Sequence, residues 1–152
     1  MIYALISLVI FTSYIVFIAV KFGILKSVSA SYYAMKERYG KNTADIVFAF
    51  VLWGFAVPVM IAGNSIFFFL AGSAICFVGA APDYQIKNEG DVHYIAAVTG
   101  IVFSAIAIAL TPLWWLSVVM VGIIIGINWI KNHTYWQELI AFYIVILYLF
   151  IK

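Results

Sequence analysis

Long apolar stretches, interrupted by a few polar residues, run through the whole chain. The first covers residues 2–22, and a helix of that length can cross a hydrocarbon core of about 30 Å at about 1.5 Å per residue. Residues 45–82 and 93–130 form two further apolar runs of 38 residues each. As one straight helix, either run would be about 57 Å long, so each must turn back on itself.

Residues that favour turns indicate where the two long runs divide. Gly63 and Asn64 form the only good turn in the first run, and Thr111-Pro112 breaks the second. A last apolar stretch follows a short polar loop. The pattern therefore predicts an all-α fold, a polytopic transmembrane helical bundle forming a single domain over residues 1–152, with about six spans at residues 2–22, 45–62, 65–81, 93–110, 113–130 and 135–151.

The segment after the first span has a different pattern. Val28, Tyr32 and Met35 recur at helical spacing, whereas the charged side chains nearby lie off that stripe. An apolar stripe beside a charged face is typical of a helix that lies on the membrane surface. We therefore predict one interfacial amphipathic helix over residues 27–39, followed by a turn at residues 41–43.

The serines and tyrosines at the start of that interfacial helix have two interpretations. Ser27 or Ser29 could cap the first turn of the helix by accepting a backbone hydrogen bond. Alternatively, the hydroxyl groups of this segment face a functional site, which makes Ser29 a candidate catalytic residue.

Composition supports the membrane assignment and excludes some partners. The chain is 67% hydrophobic and 9% charged, whereas soluble domains carry about a quarter charged residues. Its net charge is only +2 and it has no run of Lys or Arg, so nucleic acid is not a predicted partner. The partners that we predict are the lipid bilayer and a lipid ligand or another membrane protein.

The distribution of basic residues predicts an orientation. With six spans, seven of the 8 Lys and Arg residues fall on one face, and only Lys152 falls on the other. Because basic loops stay in the cytoplasm, we expect that face to be cytoplasmic and both termini to lie outside, in a bacterial inner membrane. The basic residues of that face are Lys21, Lys26, Lys36, Arg38, Lys41, Lys87 and Lys131.

Candidate chemistry is concentrated in the polar loop at residues 82–93, which holds three of the six acidic residues and one of the two histidines. Carboxylates and imidazoles bind zinc or iron, and they also act as acids and bases. Asp91 could instead cap the following helix, with the loop solvated. The candidate catalytic residues are Asp83, Asp91, His93 and Ser29, and the candidate metal ligands are Asp83, Asp91, His93 and His133, with Glu89 and Glu138 nearby.

Small residues predict where helices approach one another closely. Gly72, Cys76 and Ala80 recur every four residues in the third predicted span, and Gly122 and Gly126 form a GxxxG pair in the fifth. We predict that both sets are helix-packing faces.

Two asparagines, Asn64 and Asn128, are the polar residues for which we expect a partner helix or a cavity near the membrane. No ionisable residue lies near the centre of a predicted span, which argues against a proton relay.

Three motifs carry a resemblance to known families. They are the segments Ser27-Val-Ser29-Ala-Ser-Tyr-Tyr, Gly79-Ala-Ala-Pro82-Asp83 and Val92-His93-Tyr94-Ile-Ala-Ala97. In layout, the chain resembles bacterial six-helix membrane proteins of the DRAM-like type, whose biochemical role is largely unassigned. Its polar Ser, Asp and His near the membrane ends also resemble the membrane hydrolases related to alkaline ceramidase. That second resemblance implies zinc ligands at Asp83, His93 and His133, assisted by a serine at 27–31.

Three functional hypotheses follow. The leading one is a membrane component without catalysis and without a cofactor, which binds lipid or another membrane protein through small-residue faces. The first alternative is a metal-assisted lipid hydrolase that uses the loop at residues 83–93 and a divalent metal. The second alternative is a channel or small transporter subunit in which Asn64 and Asn128 line a path.

Overall fold

The structure, a computed structural model, describes residues 1–152 and consists of seven α-helices without any strand. The all-α prediction is therefore confirmed. The helices are α1 (Ile2–Phe22), α2 (Ser31–Tyr39), α3 (Lys41–Gly63), α4 (Ile66–Ala80), α5 (Lys87–Ala109), α6 (Trp114–Gly126) and α7 (His133–Ile151).

The predicted turn between the second and third spans is present. α3 ends at Gly63, and Asn64 adopts the left-handed conformation with φ 51°. Ser65 then begins α4, and its side chain accepts a hydrogen bond from the Phe68 N–H at 3.2 Å. Asn is one of the few residues that tolerate the left-handed region, and Ser is a preferred helix cap, so local chemistry explains this tight turn.

Three predicted boundaries were wrong. Residues 41–43 are not a turn but the first turn of α3, because Gly40 alone, at φ 88°, breaks the chain between α2 and α3. α2 begins at Ser31 rather than residue 27. α5 begins at Lys87, so Asp91 lies inside the helix and does not cap it. Polar residues that follow the loop form the first turns of the helix here.

Six of the helices alternate in direction. Short connections join α3 to α4, α5 to α6 and α6 to α7, and helices that follow one another in this way pack side by side. Lys152 at the end of α7 donates to the carbonyl oxygens of Ala62 and Gly63, whereas the Tyr135 N–H near its start donates to the Lys26 carbonyl oxygen at 3.1 Å. α7 therefore runs antiparallel to α1 and parallel to α3.

This alternation gives the bundle two different ends. The linker end contains residues 23–30, the helix α2, the loop 81–86 and the turn 127–132. The turn end contains the connections at residues 64–65 and 110–113.

Four helices, α1, α3, α5 and α7, are long and apolar enough to cross a membrane. α4 and α6 are also apolar but have 15 and 13 residues, which corresponds to about 23 and 20 Å. Large apolar side chains such as Val20, Ile46 and Phe50 are exposed on the outer surface. The fold is thus compatible with an integral membrane protein.

The core lies between α1, α3 and α7. Phe11 is fully buried and packs against the rings of Phe55 and Phe142, with ring centroids 5.6 and 4.3 Å away. Such aromatic contacts contribute beyond the area that they bury.

The small residues that were expected to pack helices have different surroundings. Gly72 is buried against α3, where an added Cβ would meet the Met60 side chain and lie 2.9 Å from the Ala56 carbonyl oxygen. Cys76 is half-buried and Ala80 is exposed. Gly122 and Gly126 are exposed, and no heavy atom lies within 4 Å of the position that a Cβ would take. Within this chain, Gly72 therefore lies at a close helix approach, whereas Gly122 and Gly126 do not.

Candidate functional site

Ser29 and His93 are brought together at the linker end of the bundle. The Ser29 Oγ lies 3.0 Å from the His93 Nε2, although 64 positions separate the two residues in the sequence. His93 lies in the second turn of α5 and is buried, with 6% of its surface exposed. The rings of Phe48 and Tyr84 flank the imidazole, with centroids 6.4 and 5.1 Å away.

The second ring nitrogen of His93 determines which tautomer is present. The Nδ1 atom lies 2.8 Å from the Ala81 carbonyl oxygen, which can only accept a hydrogen bond. We assign the proton to the Nδ1, which donates to that carbonyl; the Val78 carbonyl oxygen is a second acceptor beside the ring. In the neutral imidazole, the Nε2 then has a free lone pair that accepts the Ser29 hydroxyl proton.

The loop at residues 81–86 presents the Ala81 carbonyl by folding back on α5. The Asp83 N–H donates to the Glu89 Oε2 at 3.3 Å, and the Ile86 N–H donates to the Asp83 carbonyl oxygen at 3.0 Å. Gly90 makes room for this return, because a Cβ there would meet the Tyr84 carbonyl oxygen.

Asp83 holds the same loop against α2. Its Oδ2 accepts from the Lys36 Nζ at 2.5 Å, and its Oδ1 accepts from the Tyr33 hydroxyl at 3.1 Å. The Tyr33 oxygen in turn accepts from the Gln85 N–H at 2.8 Å. Hydrogen bonding to the Lys36 ammonium lowers the pKa of the Asp83 carboxyl below its usual range. Asp83 is therefore buried and engaged with a cation, whereas residues 85–88 of the same loop are exposed.

A mainly apolar cleft of about 50 Å³ begins beside Ser29. That volume exceeds the 10–15 Å³ or so that one water molecule needs. The cleft lies between α4, α5 and α7, and α3 forms its floor; α5 and α7 make only sparse contact with each other. From Ala97 to Ser104 on α5, it extends about 10 Å along the bundle, which is roughly a third of the hydrocarbon core.

Polar groups of the cleft lie mostly at one end. Ser29 and the Glu138 carboxylate line it at the linker end, and Ser104 is the only polar side chain deeper inside. The Glu138 Oε2 accepts from the Val28 N–H at 2.5 Å, and the Ser29 N–H faces the same carboxyl group. These hydrogen bonds connect the linker between α1 and α2 to the first turns of α7.

The other predicted site residues lie elsewhere. Asp91 and His133 are exposed, and nowhere do three or more His, Cys, Asp or Glu side chains converge as a metal would require. The proposed ligands Asp83, Asp91, His93 and His133 therefore do not form one cluster.

Asn64 and Asn128 both lie in turns and not inside helices. Asn64 connects α3 to α4. The Asn128 side chain donates to the Ile125 carbonyl oxygen at 2.9 Å and accepts from the Gln137 Nε2 at 2.7 Å. Neither residue lines the apolar cleft.

Sequence reasoning named Ser29, Asp83 and His93 but missed how they are connected. Lys36, Tyr33 and the Ala81 carbonyl were not predicted as partners of Asp83 and His93. Glu138 lies in α7 directly before an apolar run. A charged residue at such a position was the one sequence signal of a buried polar contact.

No protein-family model, curated protein or solved structure matches this chain.

Proposed function

We propose that the chain is an integral membrane protein that crosses the bilayer six times and binds the acyl chain of a membrane lipid in its apolar cleft. The observation that carries this proposal is the distribution of polarity in the cleft, which is apolar along its length and polar at the linker end. A lipid has the same distribution, with an apolar tail and a polar head. Pockets for small molecules commonly combine an apolar lining with a few polar groups that fix orientation.

The position of the cleft supports a lipid as the occupant. The cleft lies between α5 and α7, which make only sparse contact with each other, and both helices carry exposed apolar side chains such as Val98 and Leu147. In a bilayer, this surface faces lipid tails, so an acyl chain reaches the cleft without passing through water.

The six crossings include the two shorter apolar helices. Trp114 and Trp115 at the start of α6, and Trp129 just beyond its end, are 56, 46 and 93% exposed. Tryptophans at both ends of an apolar helix favour two membrane interfaces at those positions. We further propose that the linker end, which carries the basic residues, faces the cytoplasm of a bacterial inner membrane.

Photocrosslinking tests the acyl-binding proposal. A fatty acid with a diazirine near its methyl end is incorporated into lipid nanodiscs that contain the purified chain. We expect crosslinks on lining residues of α5 and α7, which peptide mapping identifies. Ala97→Phe, which fills the cleft, should abolish those crosslinks, whereas Val98→Phe, one residue away on the exposed face, should not.

Two results would contradict acyl binding. One is labelling that is confined to outward-facing side chains in the wild-type chain. The other is equal labelling of the cleft in wild type and in a folded Ala97→Phe variant.

A further inference from the structure

The hydrogen bond between Ser29 and His93 has the arrangement of a nucleophile and its general base. We propose that Ser29 is a nucleophile, activated by His93, that cleaves the carboxylic ester of a lipid whose acyl chain lies in the cleft. This inference rests on the proposed acyl binding for its substrate class. The distances that carry it are 3.0 Å from the Ser29 Oγ to the His93 Nε2 and 2.8 Å from the His93 Nδ1 to the Ala81 carbonyl oxygen.

Three features suit this pair to acyl transfer. The Ala81 carbonyl fixes the tautomer in which the Nε2 accepts a proton, as the third member of a nucleophile–base–orienting group must do. The imidazole is buried among rings, which holds its orientation. Ser29 also lines the cleft, so an ester at the end of a bound acyl chain can reach its Oγ.

The first half of the reaction transfers the acyl group to Ser29. The Ser29 Oγ forms a bond to the ester carbonyl carbon while its proton moves to the His93 Nε2. The bond from that carbon to the alcohol oxygen then breaks, and the departing alcohol takes the proton from the Nε2. The products of this half are a free alcohol and an acyl ester of Ser29.

Water completes the reaction. A water molecule gives one proton to the His93 Nε2, and its oxygen bonds to the acyl carbon. The Ser29 Oγ leaves and takes up the proton from the Nε2, which releases a carboxylic acid. The sum is one ester and one water converted to one acid and one alcohol, with no oxidant, reductant or metal required.

Backbone donors lie beside the nucleophile. The N–H groups of Val28 and Ser29 face the Glu138 carboxyl group, whose Oε2 accepts from the Val28 N–H at 2.5 Å. A developing oxyanion has the same need for N–H donors. These two N–H groups lie beside Ser29, and the Glu138 carboxyl group accepts from them in this structure.

A structural alternative exists for the same contact, since the hydrogen bond also ties the α1–α2 linker to α5. Reactivity separates the two roles, because a hydroxyl that only tethers two elements does not react faster than other serines. The probes are two fluorophosphonates, which form a covalent adduct with activated serines; one carries a long alkyl chain and the other only small isopropyl groups.

The experiment treats the full-length wild-type chain, purified in detergent micelles, with each probe, and locates the adduct by peptide mapping. We expect an adduct on Ser29 with both probes and a higher rate with the long-chain probe. His93→Gln should lower the labelling rate by about 100-fold or more, because general-base assistance contributes about 10²–10⁴ in rate. His93→Phe, which keeps a ring between Phe48 and Tyr84, is a second variant with the same expected loss.

Ser73→Ala is the control. Ser73 lies on α4, where its Oγ is 3.6 Å from the Met60 Sδ, and it neither contacts His93 nor lines the cleft. We expect this variant to be labelled on Ser29 at the wild-type rate.

Each outcome has a definite meaning. Absence of a Ser29 adduct in the wild type overturns the proposal without any variant, and so does a folded His93 variant that is labelled as fast as wild type. Equal rates with both probes would support an activated Ser29 while contradicting the acyl binding on which the lipid substrate depends. If Ser29 is labelled but the diazirine fatty acid gives no crosslinks in the cleft, Ser29 is activated and acyl binding is contradicted.

Discussion

The two ends of the bundle are built from the same apolar helices but are held together differently. The linker end carries all 6 acidic residues and seven of the 8 basic ones, whereas the turn end carries only Lys152. At the linker end, side chains link segments far apart in sequence, as Lys36 does with Asp83 and Ser29 with His93. At the turn end, short turns make the connections between consecutive helices, and Lys152 adds a long-range contact to the carbonyl oxygens of Ala62 and Gly63.

The comparison of the two ends shows where the chain places polar side chains that helix packing alone does not require. A tight turn such as Gly63–Ser65 closes two helices with local hydrogen bonds. The linker end instead holds buried polar side chains, each of which needs a partner to offset the loss of water. No buried side-chain nitrogen or oxygen in the structure lacks a hydrogen-bond partner. The buried Asp83 and His93 both lie at the linker end, whereas the buried Ser104 and Ser117 lie nearer the turn end.

The largest difference between the ends should appear when Glu138 is removed. Glu138→Ala leaves the Val28 N–H without its partner, and an unpaired buried group costs about 1–3 kcal/mol. At the turn end, Lys152→Met removes donors to the carbonyl oxygens of Ala62 and Gly63, which are worth about 0.3–1 kcal/mol at a helix end. Thermal unfolding in detergent should show the larger loss for Glu138→Ala. Equal losses would mean that the linker end has no special dependence on this contact.

A second, smaller effect separates two ion pairs within the linker end. Lys36→Met leaves the buried Asp83 carboxylate with Tyr33 alone, and we expect a loss of about 1–2 kcal/mol. Lys41→Met is the matched control, because the Lys41–Asp45 pair is exposed and spans a single helical turn, where such pairs contribute about 0.3–0.5 kcal/mol. If both variants unfold at the same temperature, Asp83 does not hold the loop to α2 as the contacts indicate.

The smallest effect is the pH dependence of that pair. Because Lys36 lowers the pKa of Asp83 in the folded state, the ion pair stabilises the fold above the usual carboxyl pKa of 3.8. That contribution is lost as the pH falls through the lowered pKa. The difference in melting temperature between wild type and Lys36→Met should therefore be constant above about pH 5 and shrink between about pH 5 and pH 2. A difference that stays constant over that range would show that Asp83 titrates normally.

Sequence patterns predicted the linear features of the fold and missed the contacts across it. Apolar runs and the Gly63-Asn64 turn gave the helices to within a few residues, because helix length and turn chemistry are local properties. The start of α5 was placed too late, since the polar residues 87–92 looked like loop although they continue the helix.

The candidate residues of the site were named, yet their pairing was not. Asp83 and His93 were treated as neighbours in one loop, whereas each bonds to a different segment. Their partners lie 47 and 64 positions away, and the Glu138–Val28 contact spans 110. Such pairings depend on how the helices pack, which no local pattern encodes.

The central claim is that the linker end and the turn end lie on opposite faces of a membrane. Single cysteines test it in a Cys76→Ala background, at the exposed positions Lys87 and Lys131 of the linker end and Leu110 of the turn end. A membrane-impermeant maleimide is applied to intact bacterial cells that express each variant, before and after permeabilisation. We predict that Leu110→Cys reacts in intact cells, and that Lys87→Cys and Lys131→Cys react only after permeabilisation. Reaction of Lys131→Cys together with Leu110→Cys in intact cells would show that α6 does not cross, and would contradict the six-crossing account.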